Sequence, residues 1–346
     1  MKIVVGMSGG VDSAVTAHLL KEQGHDVLAL FMRNWEEDGE ACTAQEDYED
    51  VVSVCEQIDI PYYAVNFAKE YRERVFAYLL EECQAGRTPN PDILCNSEIK
   101  FDLLLAKAKE LGGECLATGH YCQLDKSGEI ALLRGADPNK DQSYFLHALT
   151  QDQLRDVLFP IGHFPKEEVR RIAQEKGLIN AKKRDSTGIC FIGKRNFRDF
   201  LSQYLPFQPG PLLSYDGQKL GEHSGIAFFT IGQRKGIGIG GAGDAWYVVD
   251  KDPKQKAVIL AQGANHPALF KASLKAYLPT WIGTPPSLPY RCTAKIRYRQ
   301  SDEPCTITTE GESLVITFDK PQRAVTPGQA IVFYQGEQCL GGATIL

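Results

Sequence analysis

Several common features are missing from this chain of 346 residues. No apolar run reaches the length of a membrane span and no secretory signal precedes the first predicted strand, so we expect a cytoplasmic protein without a membrane partner. Ten cysteines are present without a single C-x-x-C pair, which removes the usual spacing of a zinc site. With no export signal, most of these thiols should be reduced and buried.

Internal repeats and low-complexity tracts are also missing, and the length predicts two or three domains. A net charge of −6 argues against general nucleic-acid binding, but the charges are unevenly distributed. Residues 36–50 carry eight acids and no base, with no evident role, whereas residues 182–198 carry six bases and residues 291–299 carry four. The protein can therefore present local basic surfaces while being acidic overall.

The most informative stretch is the first predicted strand and the loop that follows it. Lys2–Met7 is a short apolar run typical of a parallel sheet, and a helical pattern begins at Ser13. Between them, Ser8-Gly-Gly-Val-Asp-Ser13 places two glycines where backbone N–H groups and a helix dipole attract an anion. The lysine of a Walker A motif is missing. We predict a phosphate-binding loop; the alternative is an ordinary turn capped by Asp12 or Ser13.

Strand and helix signals alternate over the first 120 residues or so, which predicts the α/β class, with a doubly wound parallel sheet in a nucleotide-binding domain of residues 1–204. Ligands of such sheets bind beyond the carboxyl ends of the strands, which brings Met32 and Gly119 towards the glycine loop. For Met32, plain core packing is an equal alternative. A linker rich in proline and glycine follows, then a small β-rich domain (205–266) and a C-terminal β-barrel (267–346).

One glycine pattern is misleading. Gly238-x-Gly240-x-x-Gly243 has the spelling of a dinucleotide-binding fingerprint. A strand-like run, residues 246–249, follows it where the fingerprint needs a helix, so we discount this motif.

A proline-rich stretch, residues 88–96, contains the first cysteine of chemical interest. Asn96 is expected to cap the next helix, so that Cys95 lies just before a helix N-terminus, where the dipole favours the thiolate. Asp92 could act there as an acid or base, and Asn90 can offer both hydrogen-bond senses to a flat heterocycle. The alternative is a stiff loop with a buried, inert cysteine.

A second cysteine, Cys190, lies in Gly188-Ile-Cys-Phe-Ile-Gly193 among several lysines and arginines. Neighbouring positive charges lower the pKa of a thiol and raise its reactivity. An inert cysteine in a basic turn is the alternative.

Taken together, the glycine loop, Asn90-Pro-Asp92 with Cys95-Asn96, and the motif around Cys190 resemble the bacterial tRNA-specific 2-thiouridylases, a family of N-type ATP pyrophosphatases. These enzymes replace the C2 oxygen of the wobble uridine by sulfur. Further matching stretches are residues 117–121, 140–145, 229–236 and 295–300. The resemblance implies ATP and Mg2+ as cofactors, the anticodon stem-loop of tRNA as substrate, and a cysteine desulfurase or sulfur-relay protein as sulfur donor.

The resemblance also implies residue roles. ATP would be held by Gly6, Met7, Ser8, Gly9, Gly10, Val11, Asp12, Ser13, Met32 and Gly119, with Asp12 at the magnesium–pyrophosphate end. The target base would meet Asn90, Pro91 and Asp92, and the rest of the tRNA would meet Lys140, Asp141, Gln142, Arg297 and Tyr298. Cys190 would carry a persulfide and Cys95 would resolve it, leaving a Cys95–Cys190 disulfide.

Alternatives remain for this assignment. The basic segment 291–299 could be the solvated face of an edge strand. The protein could also be a pyrophosphatase acting on a small molecule, which leaves Cys190 unexplained, or a tRNA-binding or thiol-redox protein without catalysis.

Overall fold

The structure is a computed structural model that describes residues 1–35, 43–185, 197–206 and 208–346. Its helices, numbered along the chain, are α1 Val11–Glu22, α2 Thr43–Ile58, α3 Ala68–Tyr71, α4 Ala77–Gln84, α5 Pro91–Leu94, α6 Leu105–Glu110, α7 Ser143–Leu146, α8 Gln151–Arg155, α9 Lys166–Glu175 and α10 Phe197–Leu201. Two π-helical segments, Arg72–Phe76 and Cys95–Leu104, join α3 to α4 and α5 to α6. Short 3-10 turns cover Ile226–Phe228 and Pro267–Leu269.

Seventeen strands are found in the described residues. They are β1 Lys2–Met7, β2 Asp26–Arg33, β3 Tyr62–Asn66, β4 Cys115–Thr118, β5 Cys122–Asp125, β6 Ala131–Arg134, β7 Val157–Leu158, β8 Gly210–Ser214, β9 Lys219–His223, β10 Trp246–Asp252, β11 Ala257–Gln262, β12 Phe270–Trp281, β13 Tyr290–Lys295, β14 Glu303–Glu310, β15 Ser313–Arg323, β16 Ala330–Gln335 and β17 Gln338–Ile345.

The first sheet has five parallel strands in the order β3-β2-β1-β4-β7. Alternate residues of β1 pack on opposite faces: Ile3 and Val5 join the core under α1, whereas Val4 joins the core under the helix that starts at Pro91. Burial on both faces explains the apolar run of β1. The predicted doubly wound α/β domain is confirmed, and its strand order reverses between β1 and β4, where such sheets bind ligands.

The predicted C-terminal barrel is also confirmed. Strands β12-β15-β14-β13-β16-β17 form an antiparallel series that closes through pairing of β12 with β17. The hairpin of β5 and β6 then extends the barrel sheet, because Leu132 pairs with Cys339 of β17. The barrel and the first part of the chain therefore share one continuous sheet.

The edge-strand alternative for the basic segment 291–299 is wrong. Strand β13 ends at Lys295, so that Arg297 and Tyr298 lie in the turn that follows it and not on the face of an edge strand. Strand β13 is paired on both sides, by β14 and β16, and is not an edge.

A third sheet, of order β10-β11-β8-β9, lies between the other two in sequence. Gly210 and Pro211 belong to its first strand and not to the linker that the sequence suggests. The glycine run before β10 leads into a strand, as expected, which removes the dinucleotide-binding alternative. The domain limits at residues 204 and 266 stay predictions.

Within the described ranges, none of the helices combines the length and the apolar character that crossing a bilayer requires.

Candidate functional site

The glycine loop lies between β1 and α1, as predicted. Gly9 has a φ of +74°, and a Cβ there would come within 2.6 Å of the Asp47 carbonyl oxygen. The loop closes on itself, because Ser8 N donates to Ser13 Oγ (3.2 Å), which donates to the Gly10 carbonyl (3.0 Å). Gly10 is the N-cap of α1 and, in the described residues, no side chain caps the helix. The capped-turn alternative is therefore wrong, and the first N–H groups of α1 have no side-chain acceptor.

Gly119, at the end of β4, lies against this loop. A Cβ on Gly119 would be 2.8 Å from Asp12 C and 2.9 Å from Ser13 N. The strand ends of β1 and β4 therefore bring together the loop and Gly119, as the sequence predicts.

The other predicted ATP residues are mostly interior. Met7, Val11 and Met32 are 3 to 5% exposed and belong to the cores on the two sides of the sheet. Gly6 lies under the Cys95–Leu104 segment, where its Cβ would be 3.3 Å from Leu104 Cδ2. These side chains support the loop, and their contact with ATP stays a prediction.

Lys166, which the sequence did not indicate, is a cation in direct contact with the glycine loop. Lys166 Nζ donates to both oxygens of Asp12 (2.7 and 2.8 Å), and Tyr121 Oη donates to Asp12 Oδ1 (2.7 Å). Lys166 is 7% exposed and also pairs with Asp185 (2.8 Å). It is the first residue of α9, where the helix dipole disfavours a cation, and that local mismatch is the one signal that could have indicated it.

The ion-pair network continues outward through Asp185. Burial raises the pKa of this carboxyl, but the hydrogen bonds from Lys140 and Lys166 outweigh it and lower the pKa to about 2. Lys140, predicted to contact tRNA, is 2.6 Å from Asp185. In the acidic segment, Asp47 and Asp50 both accept from Lys183, which gives part of that segment a partner.

The helix that carries Cys95 begins earlier than predicted. Asn90 is its N-cap, since Asn90 Oδ1 accepts from Asp92 N (3.2 Å), and Pro91 is the first helical residue. Asn96 is not the cap: its Nδ2 donates to the Phe145 carbonyl (3.3 Å). Cys95 is therefore in the second turn and fully buried, and it lies further from the helix N-terminus than the sequence suggested.

This helix runs antiparallel to β1. Its end is tied to the start of the sheet by Lys2 Nζ, which donates to the Leu111 carbonyl (2.6 Å), while Leu104 faces Gly6. The start of this helix, with Asp92 and Cys95 three residues apart on one side, therefore lies towards the carboxyl edge of the sheet, where the glycine loop is. Cys190, with the rest of its motif, lies outside the described residues.

Two buried amides near this edge lack partners within the described part of the chain. Asn34, which follows β2, is 1% exposed and neither Oδ1 nor Nδ2 forms a hydrogen bond. Asn96 Oδ1 is likewise without a partner. Buried polar atoms without partners are costly, and both amides could serve a bound heterocycle. The sequence did not indicate Asn34.

Several predicted tRNA contacts are used internally. Asp141 is 4% exposed and accepts from Gly135 N (3.1 Å) and Ser143 Oγ (3.0 Å). Gln142 Oε1 accepts from Tyr121 N (3.0 Å). These bonds favour a structural role for Asp141 and Gln142, and a contact with tRNA stays a prediction.

Arg297 and Tyr298, in the turn after β13, are half-buried against other parts of the fold. Arg297 Nη2 donates to the carbonyls of Ala324 (2.9 Å) and Ile231 (3.1 Å). Tyr298 packs on Phe145 with ring centroids 4.5 Å apart, and burial raises the pKa of Tyr298 to about 12. Their contact with tRNA also stays a prediction.

The site fits magnesium only together with phosphate. Among the described residues, no group of three or more histidine, cysteine, aspartate or glutamate side chains could hold a metal. Mg2+ commonly binds one or two carboxylates and completes its shell with phosphate oxygens and water, so Asp12 alone is a sufficient protein ligand. Both Asp12 oxygens now face Lys166, which would have to yield one of them.

Comparison with known proteins gives consistent matches over the whole chain. Three family models match in succession: a tRNA methyl transferase HUP domain (residues 1–194), a tRNA methyl transferase PRC-barrel domain (198–262) and an aminomethyltransferase beta-barrel domain (271–345). The chain is 57% identical to tRNA-specific 2-thiouridylase MnmA 2 of Geobacillus kaustophilus over 99% of this chain and 94% of that protein. It is 55% identical to MnmA of Staphylococcus aureus over 100% and 95% of the two chains.

Proposed function

The chain belongs to the family of tRNA-specific 2-thiouridylases, and we propose that it uses ATP to replace the C2 oxygen of the wobble uridine of tRNA by sulfur. The observation that carries this proposal is that residues suited to bind phosphate and residues suited to sulfur chemistry lie at the same edge of the sheet. The glycine loop with Asp12 and Lys166 suits a polyphosphate, and the first two turns of the helix that starts at Pro91 supply Asp92 and Cys95.

The first step is activation of the base. The uracil C2 oxygen attacks the α-phosphorus of ATP, an O–P bond forms, and the bond to the β-phosphate oxygen breaks to release pyrophosphate. The free N–H groups of α1 and the Lys166 ammonium would hold the leaving pyrophosphate. Mg2+, held by Asp12 and phosphate oxygens, would neutralise part of the charge.

The second step is sulfur transfer. The terminal sulfur of a Cys190 persulfide attacks C2, and the C2–O bond breaks to release AMP. The tRNA is then joined to Cys190 through a disulfide. The Cys95 thiolate attacks the Cys190 sulfur, which frees 2-thiouridine and leaves a Cys95–Cys190 disulfide that an external dithiol must reduce. Cys95 is fully buried, so this step requires the helix start to become accessible.

Asp92 is proposed to handle protons in these steps. It is one helical turn before Cys95, which suits a group that takes the thiol proton. Asn90 to Asp92 are proposed to face the target base, which an anticodon loop can present unstacked. A cysteine desulfurase or relay protein as sulfur donor, and a cytoplasmic location, complete the proposal.

The test is mass analysis of nucleosides from unmodified tRNA incubated with the protein, Mg-ATP and a persulfide source. Gain of one sulfur for one oxygen at the wobble uridine, with AMP formed and ATP required, is the expected result. AMP without a change in tRNA would indicate a small-molecule pyrophosphatase. Bound tRNA with neither product, using a donor that serves a known thiolase, would indicate a binding protein. A Cys190→Ser variant that thiolates normally would contradict the sulfur-transfer step.

A further inference from the structure

The third sheet, β10-β11-β8-β9, is called the central sheet below. The loop of residues 230–236, which precedes β10 of this sheet, presents two exposed cations, Arg234 and Lys235, on a fixed backbone. The Gln233 side chain holds both sides of the loop: its Oε1 accepts from Thr230 N (3.0 Å) and its Nε2 donates to the Lys235 carbonyl (2.9 Å). Two backbone bonds tie the loop to Val248 of β10. Little backbone entropy is left for the loop to lose when these cations meet a ligand.

The barrel supports this loop from the other side. Gly232 has a φ of +86°, and a Cβ there would be 2.7 Å from Ala324 Cβ. The same position is 3.4 Å from Arg297 Nη2 and 3.7 Å from Arg323 Nη1, so both guanidinium groups lie against the loop. Arg297 Nη2 donates to the Ile231 carbonyl in the loop and to the Ala324 carbonyl in the barrel, and these two hydrogen bonds connect the loop to the barrel.

The charges at this junction are not neutralised. In residues 1–35, 43–185, 197–206 and 208–346, no carboxylate forms an ion pair with Arg234, Lys235, Arg297 or Arg323. Burial lowers the pKa of Arg297, and the positive charge of Arg323 lowers it further. Some other cations of the two β domains are paired, as in Arg291 with Asp319 and Lys219 with Glu222. Like charges held together without a counter-ion favour binding of an anion.

From this arrangement we infer a phosphate-binding surface for the tRNA backbone, formed by Arg234, Lys235 and Arg323 where the central sheet meets the barrel. Arg297 is its positioning residue, because its hydrogen bonds fix the loop. The inference rests on the proposed function, since tRNA supplies the phosphates. It moves the phosphate contact from Arg297 to two exposed neighbours and one half-buried neighbour that the resemblance did not assign, and it predicts binding without base specificity.

The test is equilibrium binding of unmodified tRNA at several salt concentrations to three proteins: wild type, an Arg234→Ala/Lys235→Ala double variant, and Arg323→Ala. Each lost phosphate contact should reduce the slope of log affinity against log salt by about 0.7 to 0.9 and weaken binding about threefold to tenfold. Arg323→Lys, which keeps the charge, should keep the slope. Thermal unfolding of each variant checks that the fold is retained.

Matched controls separate this surface from general charge effects. Lys219→Ala and Arg291→Ala each remove an exposed but paired cation from the same two domains, and should leave the slope unchanged. Equal slopes for the Arg234, Lys235 and Arg323 variants and these controls would overturn the inference. If the wild type itself does not bind and thiolate tRNA, the proposed function fails first.

Discussion

Replacing Gly119 by alanine tests how the sheet edge builds the phosphate loop. Gly119 is outside the left-handed region, so alanine adopts its backbone conformation without strain. Its Cβ, however, would be 2.8 Å from Asp12 C and 2.9 Å from Ser13 N, both backbone atoms. An ordinary contact begins at 3.4 Å, so the start of α1 must move by roughly 0.6 Å.

That displacement acts on the groups proposed to hold pyrophosphate. A shift of about 1 Å in a reactive geometry can cost about 100-fold, so a shift of roughly half that size predicts about a tenfold loss in kcat/KM for ATP. Overpacking should also lower the free energy of unfolding by about 1 to 3 kcal/mol. Binding of tRNA, which uses other surfaces, should stay close to wild type.

The assay is pyrophosphate release at saturating tRNA over a range of ATP concentrations, with urea unfolding measured on the same samples. Gly128→Ala is the matched control, because no described atom lies within 4 Å of the added Cβ in that hairpin turn. Wild-type kinetics for Gly119→Ala, with the control unchanged, would refute the close-approach argument.

Three further changes test other parts of the site. Lys166→Met should slow pyrophosphate release by about 100-fold or more, because it removes a charged hydrogen-bond donor at the loop. Lys166→Arg keeps a charged donor and should slow the release less, so equal rates for the two variants would contradict the proposed role of Lys166. Cys95→Ser should accumulate tRNA joined to Cys190 by a disulfide, seen as a gel shift that a thiol reductant reverses. If this variant releases free 2-thiouridine and forms no such adduct, the proposed role of Cys95 is contradicted. Lys251 donates to the Phe229 carbonyl, and burial lowers the pKa of Lys251 from 10.5 to about 8. The unfolded state therefore binds more protons between these values, so that stability rises with pH from 8 to 10.5 by up to about 3 kcal/mol. Urea unfolding of Lys251→Met should lack that rise.

Local sequence rules were sufficient for the parts of the site that local structure determines. The strand, the glycine pair and the helix of the phosphate loop follow one another within residues 2–22, and each has its own signal. The start of the helix that carries Cys95 is ambiguous in the sequence, because Asn90 and Asn96 are both good caps. Pro91 at the first helical position favours Asn90, and this is the signal for the observed start.

Contacts over long sequence separations were beyond those rules. Lys166 meets Asp12 across 154 residues, and hairpin β5–β6 joins a barrel strand about 200 residues away. These long-range contacts depend on which surfaces the folded sheets bring together. Composition and hydrophobic periodicity do not specify that arrangement. Arg297 shows the same limit: the edge-strand alternative places it in solvent, whereas in the fold it is half-buried and donates to the carbonyls of Ile231 and Ala324.

The most direct measurement of the central claim follows the oxygen that sulfur replaces. An unmodified tRNA carrying 18O at C2 of the wobble uridine is thiolated with Mg-ATP and a persulfide donor, and the AMP is analysed by mass spectrometry. If the protein adenylates the C2 oxygen, the label leaves with AMP, one 18O for each 2-thiouridine formed. Unlabelled AMP, with 18O recovered in water, would contradict this account.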